Sequence, residues 1–305
     1  MKKLIVLLII CVAAMSLYSC ADKGNPAKPA DETQAAAESA EPGESAEADA
    51  TEASTPDDAD ETPGYIDDGE IFNPGDDPGA TKESPYDKTP KPLFGSGQVN
   101  AGDVVTFGAY EQDNDSSGLE PLRWIVLKNE GGKALLLSLY VIDALPYHTE
   151  YADVTWEGCR LRQWLNEDFA AEAFGADTGK LVSTPCPADK NPQFASTAQG
   201  QATEDVVFLL SAAELSDNDL GFRDYYAYGD VLRMARATEF AKAKGCFVSD
   251  SGLFKDCATW WIRTMGGDAK QAAYIYSDGS VGTNGGNVTN TDKGVRPAVW
   301  VKLGD

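Results

Sequence analysis

Hydrophobic positions are spread very unevenly along this chain. An unbroken apolar run of 11 residues, Leu4 to Ala14, is followed by a long stretch with no apolar period, and regular patterning starts only at Val99. Val104-Val105-Thr106-Phe107 predicts a strand. Leu122 to Leu127 and Ala134 to Leu139 predict two more, joined by Asn129-Glu130-Gly131-Gly132, a good hairpin turn. Thr155 is placed to cap a helix in which Trp156, Cys159, Leu161, Trp164 and Leu165 recur at spacings of three and four. Asn166 is placed to cap a second short helix, with Phe169, Ala173 and Phe174 on one face and Gly175 as its stop. Val206 to Leu210 reads as a buried strand, and Val231 to Lys244 as a helix ended by Gly245. The closing part alternates short strands, Thr259 to Arg263, Ala272 to Ser277 and Val295 to Leu303, with turns at Asp278-Gly279 and Asn284-Gly285-Gly286. Strands, then helices, then strands again predict an α+β domain without internal repeats.

The N-terminal run changes the picture first. Lys2 and Lys3 precede it, and it is too short to span a bilayer, so it reads as a signal peptide. Leu17-Tyr18-Ser19-Cys20 follows, with an aliphatic residue three before the cysteine and a small one just before it, the pattern that signal peptidase II cuts. Residues 1–20 are therefore expected to be a lipoprotein signal peptide and Cys20 the lipidated residue. Several acyl chains on one cysteine give stable anchoring. That places the protein at the cell membrane, lipid-anchored, on the extracytoplasmic surface.

Residues 21–95 hold ten of the sixteen prolines, none of the six tryptophans and a net charge of −15. Such a composition buries too little apolar surface to offset its ordering entropy, and proline and self-repulsion keep it extended. The expectation is a disordered acidic Pro-rich linker that lifts a globular domain, residues 96–305, clear of the envelope. That domain carries every tryptophan and a net −11 of the total −24. A chain this acidic is repelled by nucleic acid, which is excluded as a partner.

Cysteine and histidine narrow the chemistry. The domain keeps Cys159, Cys186, Cys246 and Cys257, and outside the cytoplasm these can pair. The short Cys246–Cys257 loop is the disulfide candidate; Cys159 is expected as a core thiol or a partner of Cys186. No C-x-x-C or clustered Cys/His pattern points to zinc. His148 is the chain's one histidine, in a loop after Pro146-Tyr147, with no visible nucleophile to serve. No metal ligands are assigned. Calcium is the one ion left open, because Asp113-Asn114-Asp115-Ser116-Ser117-Gly118 begins like a calcium loop. Its twelfth position is Trp124 rather than glutamate, so it is not an EF-hand, and an acidic hairpin turn is the preferred reading.

Six segments, taken in order, are specific. They are Phe107-Gly108-Ala109-Tyr110-Glu111-Gln112, Leu122-Arg123-Trp124-Ile125-Val126-Leu127, the run Thr155 to Asn166, Val207-Phe208-Leu209-Leu210-Ser211, Trp260-Trp261-Ile262-Arg263, and Gly294-Val295-Arg296-Pro297-Ala298-Val299-Trp300. In this order and spacing, over about Val99 to Leu303, the chain resembles an uncharacterised bacterial family, domain of unknown function 6273. That family recurs on lipoproteins and other surface proteins, and it brings no established activity. A Trp-rich strand, Gly-rich hairpins and a closing Gly-x-Arg-Pro strand are also similar to C-type-lectin-like and sulfatase-modifying-factor domains. That group includes sugar binders and formylglycine-generating oxidases, and the likeness implies a C-type-lectin-like mixed domain; fold alone does not choose among its activities.

Trp156, Arg162, Trp164, Arg263, Arg296 and Trp300 are expected to be structural, with arginines stacked on aromatic faces or forked onto carboxylates; Glu157 is a candidate partner on the same helix. Trp260 and Trp261 point to opposite faces of a strand, so one is expected in the core and the other on a ligand surface. The stretch Asn284 to Asp292 is rich in amides and hydroxyls and carries a single charge. Asn284, Asn287, Asn290 and Asp292, with one face of Trp260-Trp261, form the expected ligand surface. The functional expectation is a surface-anchored lipoprotein presenting a non-enzymatic binding module for an extracellular glycan or protein. The alternatives are an envelope enzyme of the formylglycine-generating kind, using Cys246 and Cys257, or a purely structural envelope protein.

Overall fold

Two consecutive glycines set the first part of the architecture. Gly131 and Gly132 take φ of 59° and 75°, the doubly left-handed geometry of a two-residue hairpin turn. In the computed structural model, which describes residues 84–115, 117–224 and 229–304, this turn joins the third and fourth strands of fourteen. In chain order these are β1 (Lys91–Pro92), β2 (Val104–Tyr110), β3 (Glu120–Glu130), β4 (Lys133–Ser138), β5 (Asp143–Ala144), β6 (Thr184–Cys186), β7 (Thr203–Asp205), β8 (Ala235–Arg236), β9 (Cys257–Ala258), β10 (Trp260–Met265), β11 (Gln271–Ile275), β12 (Val281–Asn287), β13 (Gly294–Val295) and β14 (Ala298–Lys302). They form two five-stranded sheets, ordered β1-β2-β3-β4-β14 and β12-β11-β10-β13-β5, and two ribbons, β6-β7 and β8-β9. Helix α1 (Arg160–Trp164), a π turn (Leu165–Phe169) and α2 (Ala170–Phe174) follow one another without a break, and α3 (Glu239–Ala243) stands apart. The domain is α+β with mixed sheets.

The α1–α2 run packs on the first sheet. Phe174 stacks against Phe107 and Trp124, with ring centroids 5.0 and 6.1 Å apart. Gly108, at φ 72°, lies where β2 slips register against β3. A Cβ there would come within 2.7 Å of the Ala173 carbonyl oxygen, so glycine is what lets α2 approach.

The two sheets are joined by a bent ribbon. Ala298 pairs with Leu137 in the first sheet, while Val295 and Gly294 pair with Asp143 and Ala144 in the second. Between them Ser138 N donates to Pro297 O and Ile142 N to Val295 O, each at 2.9 Å. Arg296 fills the corner. Its Nε donates to Ser138 O (2.9 Å) and its Nη1 to Leu232 O (2.7 Å), and its guanidinium lies 5.0 Å from the centre of the Trp260 ring. The side chain is fully buried, and burial pulls its pKa down to about 10. Gly294 has to be glycine: a Cβ would fall 2.1 Å from Val141 Cγ1 and 2.9 Å from Cys246 Sγ.

Several expectations change. The packed chain starts before Ser96. Ser84 caps a 3-10 turn at Pro85–Asp87, β1 pairs in parallel with β2, Leu93 is buried, and Tyr86 Oη donates to Leu139 O at 3.0 Å. Residues 84–95 thus belong to the domain rather than the linker, and those contacts hold them there. The signal peptide, Cys20 and the linker up to residue 83 lie outside the described residues. The helix expected over Val231 to Lys244 shrinks to α3. Asp230 Oδ1 accepts from Leu232 N and Arg233 N in a turn, β8 pairs with β9, and Thr238 Oγ1 accepts from Ala241 N to start α3. Asn166 does not cap a helix. It sits inside the helical run and holds Val206 N, Val207 N and Val207 O, so Val206–Leu210 needs only one bridge, Phe208 to Ala298.

All four domain cysteines are free, buried thiols. The Cys246–Cys257 bridge is absent for a reason of register. Val248 bridges Ala258, Ser249 N donates to Cys257 O and Thr259 N to Phe247 O. Cys246 is therefore three residues out of step with Cys257, roughly 10 Å along the strand, too far for a disulfide without backbone movement.

Candidate ligand-binding surface

Strand β12 is an edge of the second sheet, paired to β11 alone. Its register shifts between Ala272 and Tyr274, beside Gly285 at φ 83°. A Cβ on Gly285 would meet Ala272 O and Gly266 Cα, both at 2.8 Å, and Gly267 N donates to Asn284 O at 2.6 Å. This bulge turns Asn284 outward. Asn284 and Asn287 are exposed, and Asn290 and Asp292 half-buried. The Asn284–Asp292 stretch is thus not one loop. Asn284 and Asn287 stand on the strand, and a turn closed by Asn290 N donating to Asn287 O (2.9 Å) leads on to Asp292.

Trp260 and Trp261 are not part of this surface. Both are fully buried, because the second sheet is covered on both faces along all of β10. Trp260 Nε1 donates to Arg233 O and Trp261 Nε1 to Leu145 O, each at 3.0 Å. On the neighbouring strand, Tyr274 of β11 is buried against Trp261, with centroids 6.2 Å apart, and Tyr276 just past β11 lies 4.7 Å from it. Opposite them β12 carries glycines. A Cβ on Gly282 would lie 2.8 Å from the Tyr276 ring, and one on Gly286 3.6 Å from that of Tyr274. Tyr276 is half-buried; Tyr274 lies under Lys293, whose Nζ is 4.6 Å from the ring centre and 2.9 Å from Asp292 Oδ2. Asp292 Oδ1 is buried without a donor among the described residues. Two further rings stand out in solvent near the ends of this rim. Phe247, 50% exposed, donates its N to Asp292 O, and Tyr151, 60% exposed, lies under Lys270, whose carbonyl accepts from Val288 N. The sequence signal missed was Tyr274-Ile275-Tyr276 facing Gly282 and Gly286.

The remaining predicted residues lie elsewhere. Arg162 Nε donates to the fully buried Asp205 carboxylate at 2.6 Å, which also accepts from Trp156 Nε1 at 2.9 Å. Glu157 supplies only its carbonyl to Arg162; its carboxylate sits on Thr155, and that hydroxyl helps to hold its pKa low. Arg263 Nη1 reaches Leu209 O and the Glu214 carboxylate. Trp164 packs edge-on to Tyr110, and the Trp300 ring lies under Lys133. His148 accepts at Nδ1 from Arg160 N, a backbone contact rather than a nucleophile. Among the described residues, Glu111, Asp113 and Glu120 bring three carboxylates within 4.8 Å of one another. Gln112 N and Asn114 N already donate to Glu120 and Glu111; oxygen donors of this kind suit a hard cation. Burial pushes the Cys159, Cys186 and Cys246 thiols up to about 12, and Cys257 up as well.

The architecture defines a class: a mixed α+β domain of two sheets joined at an arginine-filled corner, with amides along one edge strand. Residues 131–303 match the sequence profile of a family described as "Domain of unknown function (DUF6273)", and the chain belongs to that family. The match opens at the Gly131–Gly132 turn, so β1, β2 and β3 precede it. No curated protein and no solved structure matches the chain.

Proposed function

We propose that the protein is a lipid-anchored surface lipoprotein whose domain is a non-enzymatic module that binds an extracellular glycan or protein. One observation carries the reading. Exposed Asn284 and Asn287 stand, with half-buried Asn290 and Asp292, on and just past the edge strand β12, next to β11 and the half-buried Tyr276 that follows it. Short amides supply adaptable hydrogen bonds, and a partly open tyrosine supplies a flat apolar face with a polar tip. The rim carries little charge in a strongly acidic domain, so a neutral or anionic partner is not repelled there. Cys246 and Cys257 are both buried, and burial raises both thiols, which argues against cysteine chemistry of the formylglycine-generating kind, since that needs an accessible thiolate. A closing strand that finishes both sheets supports kinship with C-type-lectin-like domains.

The test is a glycan and cell-wall array probed with the full chain, followed by Asn287→Ala with Asn290→Ala. The pair should leave stability within about 1 kcal/mol and weaken binding by about 1–3 kcal/mol. Unchanged affinity for an identified ligand moves the site elsewhere, and a large stability loss makes the turn structural. For the anchor, Cys20→Ala should abolish labelling by a fatty-acid analogue; retained labelling refutes lipidation there.

A further inference from the structure

Strand β12 has no strand on its outer side, yet Thr283 in its middle is buried. The register shows which of its backbone groups face outward. Tyr276 N donates to Ser280 O, and Gly282 stands opposite Tyr274, two residues further along each strand. In an antiparallel ladder every second residue bonds to its neighbour strand. Gly282 therefore bonds to β11, and Val281 and Thr283 turn their N–H and C=O groups away from it.

The chain between β6 and β7 covers that side. Residues 187–197 form no strand of their own and are tied down by side chains. Thr264 Oγ1 on β10 donates to the Asp189 carboxylate. Asn191 is buried, and its Nδ2 donates to Met265 O and Thr283 O, each at 2.8 Å, and to Gly266 O at 3.3 Å. Its Oδ1 accepts from Gln193 N (2.9 Å) and Phe194 N (3.0 Å). Gln193 Oε1 accepts from Thr283 Oγ1 at 2.6 Å, and Thr197 Oγ1 donates to Gly267 O at 2.9 Å. One amide thus fastens this segment to the end of β10, to the turn after it and to the outward carbonyl of β12. Pro192 comes next and has no N–H, so the segment blocks an edge without presenting a fresh one.

We propose that residues 187–197 are an edge guard, latched by Asn191, which closes β12 to strand addition by a second copy of this chain. The strand reads Val-Gly-Thr-Asn-Gly-Gly-Asn and carries no charge. Charged side chains are a common protection of an open edge, and like charges would oppose the pairing of two identical strands. Neither operates on β12, which leaves the covering segment as its protection. The guard is independent of what the amide rim binds.

The experiment is sedimentation velocity of the full chain over a range of concentrations. Parent and variants differ only at the named residues, so the N-terminal apolar run contributes equally to all. Asn191→Ala should raise the mass about twofold over that of the parent, as pairing of two like edges about a twofold axis requires. Val281→Pro removes an outward N–H, a change that an edge strand accepts. Added to Asn191→Ala, it should return the mass to the parent value; where proline unfolds the chain, Val281→Lys should do the same by charge. Gln193→Ala with Thr197→Ala cuts two lesser ties and keeps Asn191, and should show the same association at higher concentration. An Asn191→Ala chain with native near-UV circular dichroism and the parent mass overturns the proposal. So does association that the Val281 variants leave untouched, which would place the contact elsewhere. If Asn191→Ala does not fold, the Gln193 and Thr197 pair decides: a parent mass at every concentration overturns the guard.

Discussion

The two five-stranded sheets are the same size and are held by different means. In the first, β2, β3 and β4 follow one another through hairpins, and Val105, Leu122, Ile125, Leu136 and Leu137 bury apolar surface across an antiparallel ladder broken by one register shift in each pairing. In the second, strands come from distant parts of the chain, β13 runs parallel to β10, and irregular segments abut the sheet. Their spare carbonyls are gathered by buried polar side chains. Arg233 reaches Gly279 O and Leu215 O, Arg263 reaches Leu209 O, Arg296 spans the corner, and Asn191 Nδ2 bonds Met265 O and Thr283 O at 2.8 Å each. A buried carbonyl without a donor is costly, and a guanidinium satisfies two or three at once. Pairing between sequence neighbours needs little such help; assembly from distant segments does.

Removing one of these forks gives the largest effect. Arg296→Ala leaves the Ser138 and Leu232 carbonyls without their donor and should cost about 2–5 kcal/mol in urea unfolding, and Arg296→Lys should restore less than half, since an ammonium lacks the fork. A loss below about 1 kcal/mol would break the distinction between the sheets. Next, Gly294→Ala should cost about 1–3 kcal/mol by overpacking, and Val141→Ala should relieve most of it in a double-mutant cycle; no relief would mean that the Val141 contact is not what demands glycine. In the first sheet, Gly131→Ala should cost only about 1–2 kcal/mol, the strain of a side chain at positive φ. An effect as large as that of Arg296→Ala would erase the contrast from the other side.

The smallest effect tests a link between the sheets. Tyr110 on β2 donates to Asp143 on β5 at 2.7 Å, and burial raises the Asp143 pKa. With the folded pKa above the unfolded one, the stability from this group is complete below the ordinary carboxylate range. It is lost as pH rises through the raised value. Asp143→Asn should flatten that decline in melts run from pH 3 upward, and an unchanged slope would place the titration elsewhere.

The same contrast explains what the sequence revealed. Strands β2 to β4 were legible because the Gly-Gly turn and the apolar runs agree, and the extra length of β3 came from pairing alone. Val231 to Lys244 misled because its apolar spacing suits a helix, while the Asp230 turn, the β8–β9 pairing and the Thr238 cap override that preference. Trp260-Trp261 misled for another reason. Alternation tells inside from outside only when one face of a sheet is wet, and β10 has none. At the rim, the amides were legible from composition, but the tyrosines needed the β11–β12 register.

The bent ribbon also sets an order of assembly. A chain that emerges N-terminus first, from a ribosome or through a translocation pore, can form the β2–β4 meander early. It then waits with a vacancy between β10 and β5, and with β4 unpaired on one side, until Gly294–Lys302 has come through. Arg296 arrives in that same segment, so the buried carbonyls at the corner and these open edges are resolved together. A product cut short at Lys293 would keep most of its core residues yet leave open edges on β4, β5 and β10, the kind of surface that recruits chaperones and proteases. Three open edges thus close in one event, the arrival of Gly294–Lys302, and β12 keeps an edge without a strand partner in the finished fold.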